Sequence, residues 1–229
     1  MYNLIKFEMA KRKKLFTVLG ILFLVAQVFS IYKSTNNNTI DSLAIMYLLS
    51  FISYVVFIFS SLSSFSKDMN STDRSISFMV PKSGFIIISA KFLSTMILGI
   101  GLLIFSSILI FTNIYYLDPN TGINFISYLQ SNPYIFVKTI IGIVTLGSFF
   151  GLVFLSIVVT KTFLSKLKFK TLITIVVMVV LSKIFNAVFW NHLNEFTTLN
   201  TGVSIIAIIF ITIVMLYISG WLIDNKTDL

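Results

Sequence analysis

The chain has 229 residues, 57% of them hydrophobic and only 11% charged, with a mean hydropathy of +0.97. Soluble domains carry about 25% charged residues, so this composition does not fit a soluble globular enzyme. The net charge of +9 falls in short polar gaps between apolar runs, where it signals membrane topology rather than a nucleic-acid-binding face. With no Cys there is no disulfide, thiolate metal site or thiol nucleophile, and a single His leaves no multi-histidine metal site within the chain.

The N-terminal segment, residues 1–14, comes first. Met1, Leu4, Ile5 and Met9 recur at i, i+3, i+4 and i+8, with Asn3, Lys6, Ala10 and Lys13 roughly opposite. The spacing predicts a short amphipathic helix in the membrane interface, its lysines toward anionic headgroups, with a turn into the first span after Lys14. An ordinary basic flank accounts for the same lysines. The basic start and apolar run also imitate a signal peptide. The run exceeds the usual 7–15 residues and no small-x-small cleavage site follows, so it is expected to be retained.

Six apolar segments then follow: Leu15–Tyr32, Leu43–Phe65, Phe92–Leu117, Ile135–Thr160, Phe169–Trp190 and Val203–Ile223. Each approaches or exceeds the roughly 20 residues needed to cross about 30 Å of hydrocarbon. They lack the alternation of barrel strands, and a lipid-facing backbone must bond internally. The expected fold is therefore all-α, a polytopic membrane protein with six transmembrane helices. An N-in orientation puts all but Lys33, Lys138 and Lys183 of the 17 Lys and Arg on the cytoplasmic side, and an even number of spans returns the C-terminus there.

The longest inner loop is 66–84. Asn70, Ser71 or Thr72 can cap a short helix, with Asp73 near its start and Arg74 behind it. Ile76, Phe78, Met79 and Val80 supply an apolar contact surface, Pro81 stops the helix, and Ser83-Gly84 allow a turn. Such an element suits docking to another protein. A solvated connection whose hydrophobes dip into lipid is the alternative.

Polar residues inside the spans are few. Lys183 and Asn186 stand at i, i+3 in span five, where Lys183 either snorkels to the outer interface or lines a pore or subunit contact. Asn113, near the outer end of span three, is expected to make a helix-packing hydrogen bond or to sit at the interface rather than to bind a substrate. Gly147 and Gly151 form a G-x-x-x-G that predicts close helix packing, within the chain or at a subunit interface. His192 and Glu195, beside Trp190, read as a polar cap on an interfacial belt, with no further convergent ligand.

Taken together, these features resemble ABC-2 type permease subunits of bacterial ABC exporters. The resemblance rests on an amphipathic start with Glu8 and a basic cluster, on six spans, and on the first inner loop. That loop offers Asp68 or Asp73, then Ser71-Thr72, the apolar patch Ile76 to Val80, Pro81-Lys82-Ser83, and Lys91 at the next span. The topology covers the whole chain, and the motif only residues 68–91. The resemblance implies a single transmembrane domain over 1–229, with an elbow helix over 1–14 carrying Leu4, Ile5, Glu8, Met9 and Arg12. It implies a coupling loop over 66–84, in which Asp68, Asp73, Arg74, Ile76, Phe78, Met79 and Pro81 engage a separate ATPase.

Small subunits of peptide exporters and of antimicrobial-peptide immunity systems are the most similar in size and layout. The short gap between spans five and six departs from relatives with re-entrant helices there, and argues against very large polymers as cargo. No G-x-x-x-x-G-K-[ST] occurs, so ATP and Mg are expected on a partner, with no cofactor in this chain. The expected partners are cytosolic ABC ATPase subunits, a second permease copy or a similar chain, and membrane lipid, with no nucleic acid. The expected location is the bacterial plasma membrane.

Other classes fit less well. A membrane-embedded enzyme lacks interior carboxylates, and Ser148 has no evident base. An ion-coupled transporter calls for intramembrane carboxylates or broken helices. The substrate-capture subunit of a vitamin importer calls for an A-x-x-x-A stripe, and span one holds only Ala26. An immunity or scaffold protein on the same fold stays open.

Overall fold

A chain this poor in polar side chains satisfies its backbone in lipid by coiling, and the computed structural model is helical throughout its regular elements. It describes residues 1–34, 39–69, 83–117, 127–132, 134–163, 170–185 and 201–226. The main helices are α1 (Tyr2–Lys11), α2 (Lys13–Ser34), α3 (Thr39–Asp68), α4 (Gly84–Leu117), α5 (Tyr134–Phe163), α6 (Lys170–Phe185) and α7 (Thr201–Lys226). Among the described residues, five helices are long and apolar enough to cross a membrane: α2, α3, α4, α5 and α7. The protein is a helical membrane protein. The 16 described residues of α6 rise about 24 Å, short of a full crossing. Phe169 and residues 186–190 of the expected fifth span lie outside the described residues.

Two boundaries differ from expectation. Helix α3 runs on to Asp68, and α4 starts at Gly84 rather than Phe92. Residues 66–68 and 84 of the expected inner loop are therefore helical, and residues 70–82 lie outside the described residues. The reason is Lys91, which reads as a cytoplasmic flank but lies two turns inside α4, its charge met by Asp68. The turn out of α1 also comes earlier than expected, at Arg12 instead of after Lys14. There the Arg12 amide donates to the Met9 carbonyl three residues back, and the Arg12 carbonyl accepts from Phe16 to start the next helix.

Contacts divide the chain into two compact units. One contains residues 6–61 and 94–139. In it, Phe16 meets Phe57 edge-on, and Arg12 meets Ser61, so α2 and α3 are antiparallel. Phe23 meets Phe105, and Asn113 donates to Ser30 at 2.6 Å, so α2 and α4 run the same way. Gly99 lies under the Phe57 ring, which a Cβ would approach to 3.1 Å. Of the two roles expected of it, Asn113 thus makes the packing hydrogen bond.

The other unit contains residues 1–5, 62–93 and 140–229. Its core is the second half of α5, where Gly147, Ser148, Phe150 through Val158 and Thr160 are buried. Phe65 of α3 stacks on Phe154, with ring centroids 4.0 Å apart. The buried hydroxyls of Ser156, Thr160 and Thr212 each donate to the carbonyl four residues back, which satisfies them within their own helices.

Candidate functional site

The end of α3 and the start of α4 flank the loop that sequence singles out. Within one unit, the Lys91 ammonium donates to Asp68 Oδ2 at 2.5 Å. Both side chains are nearly sealed from solvent, Asp68 being 4% and Lys91 3% exposed. A buried pair of this kind gains little net stability over a hydrophobic pair. Removing either partner strands a charge and costs about 3–5 kcal/mol. The pair thus acts as a fastener, holding the residue that enters the loop against the helix that leaves it.

The start of α4 has a second anchor. The Gly84 amide donates to Asp224 Oδ1 of α7 at 2.7 Å, and the Ser83 carbonyl accepts from Ile86 at 2.9 Å. Asp224 thereby satisfies an orphan amide and sets a negative charge at the positive end of the α4 dipole. The approach is close because both helices have glycine where they meet. A Cβ on Gly84 would lie 2.7 Å from the Gly220 carbonyl oxygen, and one on Gly220 would fall on the Phe85 backbone. Phe85 packs its ring edge-on against Tyr217 beside the crossing. Gly84 is thus required by this contact, a reason different from the turn expected of Ser83-Gly84.

Of the residues expected to couple to a partner, only Asp68 can be placed. Asp73, Arg74, Ile76, Phe78, Met79 and Pro81 lie outside the described residues, as do Ser71 and Thr72. Asn186 does as well.

The elbow segment is helical as expected, but its inward stripe is charged. Glu8 and Arg12 are buried at 6% and 7% exposure, and Leu4, Ile5 and Met9 are half-buried beside them. The Arg12 guanidinium donates through Nη1 to Ser61 Oγ and Thr95 Oγ1, both at 3.0 Å. Tyr2 and Phe7, by contrast, are exposed at 77% and 62%. Asn3, Lys6, Ala10 and Lys13, on the side expected to be polar, are exposed, and the addition to the expected pattern is the burial of Glu8 and Arg12 beside the apolar side. Two hydroxyls, one on α3 and one on α4, thus accept from the guanidinium where it is buried, a group that stays charged and carries five donors.

The remaining candidates separate. Lys183 is exposed in the last turn of α6. Gly147 and Gly151 are buried in the chain's own core. A Cβ on Gly151 would come within 3.2 Å of the Thr212 methyl, so this glycine packs α5 against α7. Sequence reasoning missed Ser61, Thr95, Gly220 and Asp224. Only Ser219-Gly220, a small pair in an otherwise bulky span, carried a local hint.

Among the described residues, no cluster of His, Cys, Asp and Glu fits a metal ion. Comparison with protein-family models, with curated proteins and with solved structures gives no match.

Proposed function

We propose that the chain is the permease subunit of an ATP-driven ABC exporter in the plasma membrane of a bacterium. In this reading it crosses the membrane six times with both ends cytoplasmic, α6 and the residues after it making the fifth crossing. Two copies, or this chain with a similar one, enclose the transport path. Two cytosolic ATPases, holding ATP and Mg, dock on the loop between α3 and α4.

The observation that carries the reading is the build of that loop's base. A docked segment can move helices only if its ends are fixed to them. Asp68 and Lys91 fasten the end of α3 to α4, and Asp224 with Gly220 fastens the start of α4 to α7. Helix directions agree: α2 runs with α4, and α7 meets α4 in the antiparallel sense, from Gly84–Asp224 to Phe85–Tyr217. Spans this poor in charge suit amphipathic or hydrophobic cargo. Peptides such as toxins or antimicrobial peptides, or lipid-like drugs, are the proposed substrates.

A mild-detergent pull-down of the tagged chain from its native host, read by mass spectrometry, tests this. The expected result is a stoichiometric soluble protein carrying a phosphate loop, whose recovery falls when Asp73, Arg74 or Ile76 is substituted. A chain that arrives alone, even after crosslinking before extraction, sinks the exporter reading.

A further inference from the structure

Gln27 is a carboxamide inside the first apolar span, Lys13–Tyr32. It stands five residues before the end of that span, so about 7.5 Å within it. Its Nε2 donates to Thr112 Oγ1 of α4 at 3.3 Å, and the Thr112 hydroxyl donates onward to the Leu109 carbonyl at 2.8 Å. The Gln27 Oε1 is sealed inside the chain with no hydrogen-bond partner. Gln27 is half-buried and Thr112 exposed, so the pair stands at the open edge between α2 and α4. A carboxamide has two N–H donors and an oxygen with two lone pairs. Hydrocarbon can serve none of them, and each one left unserved there is costly.

The same edge is short of side chains. Gly20 is seven residues before Gln27 and Gly101 eleven before Thr112, spacings that return to one face of a helix. Phe23 meets Phe105, which puts the two glycines at nearly one height, three and four residues before those rings. A Cβ on either would meet nothing within 4 Å, in contrast to Gly99 under the Phe57 ring. Glycine weakens a helix relative to alanine, and among the described residues nothing packs on these two to offset it. A gap of this kind admits the backbone of another helix at close range.

We infer that this edge of α2 and α4 is the docking face for a second copy of the chain, with the two Gln27 carboxamides bonded to each other across the two-fold axis. Copies in one membrane share one orientation, so a residue beside an axis along the membrane normal meets its own counterpart at the same depth. A carboxamide is its own complement. Each Nε2 donates to the Oε1 of the other copy, and a turn of the amide brings that oxygen out of its sealed position to accept. A partner of different sequence has no such match fixed by symmetry, and lipid has none at all. The inference rests on the two-copy part of the permease reading and needs neither ATPase nor cargo. It differs from a subunit contact through Gly147 and Gly151, which are buried in the chain's own core.

The chain has no Cys, so single cysteines in the full chain report contacts without background. Leu24, at i+4 from Gly20 and three before Gln27, is exposed on the proposed face. Val25 is exposed at the same depth but lies two residues from Gln27, nearly on the opposite side of α2. Disulfide formation by Leu24→Cys and by Val25→Cys is followed in membranes before extraction. Melting temperature and size exclusion in detergent verify the fold of each variant.

Leu24→Cys is expected to give a disulfide dimer at least about tenfold faster than Val25→Cys, because a held contact raises the effective concentration of the thiols. Adding Gln27→Leu to Leu24→Cys should slow the reaction about tenfold, the scale of an interhelical hydrogen bond lost in a membrane. Gly101→Leu, which meets nothing in its own chain at the Cβ, should slow it as well. Equal rates for the two cysteines, or none for either, would overturn the proposal. Rates unchanged by both Gln27→Leu and Gly101→Leu would overturn it too. So would an adduct whose mass is not twice that of the chain, since another protein would then cover this face. ATPase recovery is read separately, so a failed crosslink with the ATPase present sinks this face alone.

Discussion

Helices α2 and α5 are almost equally apolar, with mean hydropathies of 2.2 and 2.4, yet in an apolar 18-residue stretch of each, 17% of the first and 56% of the second is buried in the chain. The contrast shows that hydropathy decides which segments enter a membrane but not which of them pack on each other. Lipid tails are as apolar as leucine, so a helix gains little by exchanging lipid for protein unless the two surfaces interlock or bond. The buried half of α5 carries Gly147, Ser148, Gly151, Ser156 and Thr160 among its Phe residues. Helix α2 buries a narrow seam through Leu19, Phe23 and Ser30 and turns Val18, Ile21, Val25, Val28 and Phe29 outward. Packing in this protein should therefore be sensitive at polar fasteners and at small residues, and insensitive on bulky apolar faces.

The largest effect is expected at the base of the inner loop. Lys91→Met removes the ammonium that meets the buried Asp68 carboxylate and should cost about 3–5 kcal/mol. Thermal unfolding in detergent, followed by size exclusion, reads this directly. Asp68→Leu combined with Lys91→Met should recover most of the loss, because two apolar groups can replace a buried ion pair at little cost. A double variant as unstable as Lys91→Met alone would mean that Asp68 and Lys91 have separate roles.

Next come the glycines. Gly220→Ala pushes a methyl onto the Phe85 backbone, which no rotamer change relieves, and should cost about 1–3 kcal/mol or more. Within α5, Gly151→Ala meets the Thr212 methyl at 3.2 Å, whereas Gly142→Ala meets nothing within 4 Å. A clear drop in melting temperature for Gly151→Ala, with none for Gly142→Ala, would set the boundary of close packing along one helix. Equal tolerance at both would contradict the account of α5 given above.

What the sequence disclosed divides along the same line. The apolar runs, the short helix before the first span and a polar role for Asn113 near the end of its span are legible. Each depends on residues close in sequence or on a rule about what lipid tolerates. The length of α4 was not legible, because a lysine at its eighth residue reads as a span boundary until its carboxylate is known. The partners of Arg12 lie 49 and 83 residues away, and Asp224 lies 140 residues from Gly84. Nothing local in Ser61, Thr95 or Asp224 distinguishes them from other small or polar residues near helix ends. Their roles exist only once the helices are side by side.

A smaller effect is expected between α2 and α4. The Asn113 amide donates to the Ser30 hydroxyl, with both residues fully buried. Hydrogen bonds between membrane helices average roughly 0.6 kcal/mol and reach about 1.7. Ser30→Ala should lower stability within that range. A double-mutant cycle with Asn113→Ala isolates the pair, and a coupling near zero would leave the aromatic contacts and the Gln27–Thr112 hydrogen bond to hold α2 to its neighbours.

The smallest effect is predicted on the outward face of α2, and it bears most directly on the contrast with α5. Val25→Ala and Val28→Ala remove bulk from exposed positions, 61% and 70% accessible, and should shift stability by no more than about 0.5 kcal/mol in detergent. Leu19→Ala, on the buried seam of the same helix, should cost several times more. The same three variants measured in native membranes separate lipid from protein as the neighbour of this face. Lipid conforms to a shortened side chain and the two valine variants stay silent there. A second copy packed on α2 would not conform, and Val25→Ala would then lower the melting temperature in membranes while leaving it unchanged in dilute detergent.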